Sequence, residues 1–265
     1  MSISKNSFPI ESLEDWERLA GPKSAHQWVN GRSAKEFARA WLQGGADELP
    51  AEVRSVIEKS TGFSSILEWQ AEPEVKLPFD SFPGEPRNSD LVVWARDRQG
   101  PLVVAVEAKA DEPFGKTVSE VMNDGLEKKV ANPRSKLLDR VEQLARSLLP
   151  AQAQGMPSAA DLRYQLLTAC AGVLAEAERQ SYGRAVMLVH EFITDKTDNE
   201  KHEANSADLD TFLWRISDGK VSTGETDQLH GPLSVPGEPL FSLKTGLYLG
   251  KVKRNIRTEH MGAGS

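Results

Sequence analysis

The chain has 265 residues, 39% of them hydrophobic and 27% charged, the composition of an ordinary globular protein with room for one large domain or two small ones. With 32 Lys and Arg against 39 Asp and Glu the formal charge is −7, which argues against a surface given over wholly to nucleic acid or anionic lipid. The lone cysteine, Cys170, excludes an internal disulfide and a multi-cysteine zinc site, the five histidines lack paired metal-site spacings, and no stretch approaches the roughly 18 apolar residues of a membrane span; a cytoplasmic location is expected.

In chain order, helices are expected over 13–20, 34–42 and 51–59, with Ser33 and Glu36 spaced as a capping box and Pro50 at a helix start. From Ile66 the period changes. A charged strand over 68–77 is followed by two apolar runs, 91–95 and 101–108, separated by the turn Asp97-Arg98-Gln99-Gly100, which makes a three-strand meander. Beyond Lys109 the pattern gives a loop, helices over 118–126, 134–149 and 159–180, a strand over 184–193, an acidic surface loop over 195–210, a helix over 208–217 and a last strand over 247–252. Cys170, set among apolar neighbours on the third of these helices, reads as a small core residue. The fold class is α/β, without internal repeats.

The hairpin between Asp90 and Lys109 has definite geometry. If its turn is centred on Arg98-Gln99, opposed residues have numbers summing to 197, so Asp90 faces Glu107. One face then carries Asp90, Val92, Trp94, Val103, Ala105, Glu107 and Lys109, and the other is wholly apolar and must be core. Two opposed carboxylates repel unless a cation separates them. A magnesium ion, held by one or two carboxylates plus waters and phosphate oxygens, meets that need, and the adjacent Lys109 can orient or deprotonate a water or neutralise charge on a phosphate. This points to metal-assisted phosphodiester hydrolysis.

At these residues the chain resembles the PD-(D/E)XK nuclease superfamily, with Asp90 matching the first acidic position and Glu107-Ala108-Lys109 the E-x-K. The E-x-K pattern also occurs at Glu74-Val75-Lys76 and Glu127-Lys128-Lys129, but only the second ends an apolar strand with an acidic residue in hairpin register. Ser89, not Pro, precedes Asp90. The resemblance implies a restriction-endonuclease-like core over 50–193, its mixed central sheet built of the meander plus the later strand and flanked by helices. N-terminal helical decoration over 1–49 and a C-terminal extension over 194–265 pack on the same domain. It implies catalytic roles for Asp90, Glu107 and Lys109, and magnesium (or manganese) on Asp90, Glu107 and the Ala108 backbone carbonyl. It also implies a core-helix glutamate, for which Glu58, Glu52 and Glu68 are candidates.

Gln165 and Gln143 are candidates for positioning a metal-bound water, or are ordinary helix-surface residues. His190 and Glu191 close the late strand, where either could face the site or simply pack. Basic groups around Lys128, Lys129 and Lys136 and around Lys244, Lys251, Lys253, Arg254 and Arg257 are candidates for nucleic-acid contact, or are scattered solvated cations. The expected activity is a nuclease acting on DNA rather than RNA, with a homodimer compatible with it. The alternative is a catalytically silent protein of that fold that binds a protein or nucleic acid.

Overall fold

The computed structural model describes residues 2–256 apart from Lys23, Ala46, Asp47, Gly224 and Leu243. Two short strands, β1 (Ser2–Lys5) and β2 (Phe8–Pro9), precede helices α1 (Leu13–Ala20), α2 (Ser33–Leu42) and α3 (Ala51–Glu58). The meander follows as β3 (Glu68–Leu77), β4 (Arg87–Asp97) and β5 (Gly100–Lys109). Helices α4 (Val118–Ala131), α5 (Leu137–Leu148) and α6 (Tyr164–Arg179) lead to β6 (Arg184–Ile193), α7 (Asn199–Ile216), β7 (Gln228–Leu233) and β8 (Gly246–Asn255). The strands form one mixed sheet ordered β2-β1-β3-β4-β5-β6-β8-β7, in which β5, β6 and β8 run parallel. Among the described residues no helix is long and apolar enough to cross a membrane.

Helices cover both faces of this sheet, so its central strands read as continuous apolar runs rather than alternating ones. One core joins Leu91, Val93, Leu102 and Val104 to α1, α2 and α3; the other joins Val92, Val103 and Ala105 to α4, α5, α6 and α7. The face that carries the charged residues is therefore core as well, up to its last residues. The hairpin register sums to 197, as its two-residue turn requires, from Asp97↔Gly100 to Leu91↔Val106.

Several local readings change. Ser33 and Glu36 form no capping box: Ser33 donates to Glu112, while Glu36 accepts from the Gly31 N–H and Arg39. The capping box lies instead at Thr117 and Glu120, at the start of α4. Helix α5 begins three residues later than 134, because a turn closed by Ser135 N–H on the Asn132 carbonyl occupies that stretch. The segment 195–210 is not a loop. Asp198 caps α7 by accepting from the Glu200 N–H, and His202, Asn205 and Leu209 recur at helical spacing as its buried face while Glu200 and Glu203 stay in water. Arg257 and His260 lie outside the described residues.

Buried ion pairs fix the frame. Arg184, opening β6, donates to both oxygens of Asp97 at 2.8 and 2.6 Å, and Asp97 also accepts from the Ser64 and Gln99 N–H groups. The side chain of Asp97 has no exposed surface. Removing one partner of such a pair strands the other charge, so Asp97→Ala is expected to destabilise the protein by about 3–5 kcal/mol in urea unfolding, and Asp97→Ala with Arg184→Met by less. On the far face Glu52 of α3 accepts from His190 of β6 and Arg254 of β8. Burial pushes its carboxyl up, but these two partners outweigh it and hold the value at about 2, below the ordinary 4.5. A depressed carboxyl stabilises the fold above its unfolded value, so this contribution is present above pH 4.5 and is lost as pH falls toward 2. Glu52→Gln is expected to lose roughly 1–2 kcal/mol at pH 7 and to flatten the acid limb of a melting-temperature profile.

Candidate functional site

In β3, Trp69 and Ala71 belong to the core under the N-terminal helices, whereas Val75 and Leu77 pack into the opposite one. All four are odd-numbered, so the strand reverses its faces between them. The reversal falls at Glu74, whose φ of 53° lies in the left-handed region, a conformation that costs energy for a non-glycine residue. Lys5 of β1 holds this distortion by donating to the Pro73 and Glu74 carbonyls at 2.9 and 2.8 Å. The β3–β4 register, 73↔91 and 75↔89, sets Asp90 across from Glu74.

At the same level β4 leaves β5. Beyond Leu91↔Val106 the ladder is replaced by side chains: Ser89 Oγ donates to the Leu91 carbonyl at 3.1 Å, and the Ala108 N–H donates to Asp90 Oδ2 at 2.8 Å. Asp90 and Glu107 thus stand at the divergent ends of adjacent strands, without a backbone pair between them, and the expectation that they share a face fails. The reversal turns Asp90 toward the N-terminal helices, where with Glu74 and Ala108 it lines a small recess walled by Trp16, Trp28 and Phe37, while Glu107 and Lys109 keep the opposite face. The reversal also carries Arg87 to the α6 side, where its Cγ would sit 3.6 Å from a Cβ on Gly172.

On that side Glu107, Lys109, Gln165 and Arg87 converge. Gln165, in the first turn of α6, donates from Nε2 to Glu107 Oε1 at 2.9 Å and accepts on Oε1 from Lys109 Nζ at 3.2 Å. Its amide is thereby oriented from both ends. Arg87 contacts the other oxygen of Glu107. The start of α6 is itself pinned, since the Tyr164 N–H donates to the Lys116 carbonyl and the Val118 N–H to that of Leu162. Lys109 Nζ lies 5.1 Å over the Phe114 ring.

These charges are deep. Glu107 and Lys109 are 4% and 7% exposed. Burial raises the Asp90 carboxyl above its usual range, opposed by Arg87, the Ala108 N–H and Lys109, and burial lowers the Lys109 ammonium. Glu74 is raised in turn, by burial and then by the charge of Asp90. A site that destabilises its own charged forms is poised to exchange protons or to accept a counter-ion. The donors at the strand ends are hard oxygens, two carboxylates and the Ala108 carbonyl, the set magnesium favours. Glu107 already accepts from the Gln165 amide and lies against the Arg87 guanidinium, and a carboxylate with about four lone-pair sites has capacity beyond these. Among the described residues no group of three or more His, Cys, Asp or Glu is arranged to hold a metal.

Other candidates fall elsewhere. Glu58 accepts from the Ile66 N–H and so secures the turn into β3, and its helix packs on β7 and β8, not on the ends of β4 and β5. Glu68 is an exposed partner of Arg96. His190 is fully buried against Glu52, and Glu191 accepts from His202. Lys251 is 6% exposed and donates to Ser206, Lys253 lies 3.6 Å from Glu191, and Arg254 is spent on Glu52 and Gln43, so these three form no open basic face. Lys128 is exposed, Lys129 donates to the Ser135 carbonyl, and Lys136 pairs with Asp139 beside the Phe82 ring.

Arg87 and Glu74 are the residues that sequence reasoning missed. Glu74 was visible only as the first of three E-x-K matches, and strict alternation would have placed Arg87 on the wrong face.

No curated protein and no solved structure matches the chain. A family described as a domain of unknown function, DUF6946, matches residues 9–255, and the chain belongs to that family.

Proposed function

We propose that this protein is a metal-dependent nuclease with a restriction-endonuclease-like core, hydrolysing phosphodiester bonds of DNA. The observation that carries the reading is the joining of Glu107 and Lys109 through Gln165, at the point where two core strands part and Asp90 holds the Ala108 N–H between them. Charges this deep are costly unless the structure uses them. The order of elements also supports it, with a meander followed by helices and a strand parallel to β5.

Asp90, Glu107 and the Ala108 carbonyl would hold magnesium. When bound, the ion supplies Lewis-acid polarisation of a phosphoryl oxygen and lowers the pKa of a coordinated water. The chain's own groups do the rest. Lys109, fixed by Gln165 and partly stripped of its proton preference by burial, accepts a proton from the attacking water or stabilises charge on the phosphate. The water oxygen bonds to phosphorus as the bond to the leaving oxygen breaks, and that oxygen takes up a proton. Gln165 positions both charged residues, and Arg87 neutralises Glu107 until substrate arrives.

A second reading, a catalytically silent binding module, is favoured by Arg87 alone, since a guanidinium on Glu107 can serve as the permanent counter-ion. Metal titration separates the two. Manganese is expected to bind the wild type in calorimetry, and Asp90→Asn to abolish the heat; no heat with wild type would support the silent module. With magnesium and DNA, Glu107→Ala and Lys109→Ala are each expected to slow cleavage at least 100-fold while melting cooperatively, as removal of a general acid–base or electrostatic group does. Gln165→Ala is expected to cost about 10–100-fold, the usual effect of losing a residue that orients such groups. Variants that cleave as well as wild type would overturn the assignment.

A further inference from the structure

Beside the strand ends, a cavity of about 450 Å³ opens under the β3–β4 connection, between α5 and the start of α6. That volume is in the range that encloses a small molecule. It shares residues with the site: Arg87 and Gln165 line its inner end and both touch Glu107. Phe79, Phe82 and Tyr164 also line it, with Phe114, itself buried in the core, behind them. Cations accompany three of these rings, with the Arg140 guanidinium 6.0 Å from Phe79, Lys136 Nζ 5.9 Å from Phe82 and Lys109 Nζ 5.1 Å from Phe114. Arg140 is itself anchored by two hydrogen bonds to Asp80, so that wall is rigid. Asn88 and Thr168 add amide and hydroxyl groups.

Aromatic walls, the amides of Asn88 and Gln165 and the Arg87 guanidinium at the Glu107 end together describe the recognition of a nucleobase attached to a phosphate. A base inside a duplex cannot enter such a recess without leaving its stack. We infer that this cavity holds one unpaired nucleotide, so that the protein acts next to a single-stranded or splayed position and not within continuous duplex. The inference rests on reading Glu107 and Lys109 as the reacting end, because it is that end which faces the phosphate.

The test is binding without cleavage. The full-length protein is titrated in chelator against a fluorescent single-stranded 20-mer and against the same sequence as a blunt duplex. Wild type is expected to bind the single strand about tenfold or more tightly than the duplex. Phe82→Ala is expected to weaken the single strand about tenfold and leave the duplex unchanged, the scale of losing one stacking platform, while Phe82→Trp retains binding and so separates stacking from folding. Equal affinity for the two probes, or a Phe82→Ala protein that melts like wild type and binds like it, overturns the inference. Magnesium-dependent cleavage of duplex that is indifferent to Phe82 would reject the pocket and leave the nuclease reading standing. A single-strand preference that depends on Phe82, in a protein that cleaves nothing, would keep the pocket and reject the nuclease.

Discussion

The reversal of strand faces at Glu74 is the constraint on which the site depends. A sheet with regular alternation would have kept β4 paired to β5 as far as Asp90 and Glu107 and turned Arg87 toward the N-terminal helices. Instead the left-handed backbone of Glu74, held by Lys5 from the neighbouring strand, turns the ends of β3 and β4 over. The β5 edge is left with a backbone donor that β4 no longer satisfies, and the carboxylate of Asp90 takes it. One local distortion thus sets where the acidic residue stands, frees the Glu107 end, and delivers Arg87 to it.

The rest of the molecule resists that distortion. Two separate cores clamp the sheet from both faces, and the bidentate Arg184–Asp97 pair closes the opposite end of the hairpin, so the register is fixed far from the point where it is broken. Helix α6 is held by its own buried contact, Trp94 Nε1 donating to Glu176 at 2.7 Å, and therefore presents Gln165 at a defined height above β5. Helix α7 is held in place too: Asn205 donates to the Glu112 carbonyl, and Glu112 in turn accepts from the Ala110 N–H just beyond Lys109. The segment that follows the charged strand end is thus tied to helices from both sides of the sheet.

Much of this was legible in the residues. The turn Asp97 to Gly100 determines the hairpin register, and the apolar runs around it identify the central strands, although β4 extends past its run at both ends, from Arg87 to Asp97. Pairing Glu107 with Lys109 needed only period-two alternation, and Gln165 was findable because it opens a long amphipathic helix. What was not legible depends on contacts between distant segments. No local pattern announces that Glu74 will adopt a positive φ, because the reason lies in β1. The acidic stretch after Asp195 looks solvated by composition, and its helix emerges only when His202, Asn205 and Leu209 are given something to pack on. Likewise the basic C-terminal residues look free until Glu52 and Glu191 are placed beside them.

Cys170 sits wholly inside the core on α6, and burial pushes its thiol far up, so the thiolate that reacts is essentially absent in the folded state. A chain whose single thiol is silent is already a clean background for labelling. Cysteines introduced on exposed positions of α4 and α7 would be the reactive thiols of the native protein, and spin or fluorescence labels there could report the distance between the two helices without first removing the native residue. The same burial makes Cys170 a built-in unfolding probe, because its reaction with a thiol reagent can proceed only as fast as the helix carrying Gln165 opens.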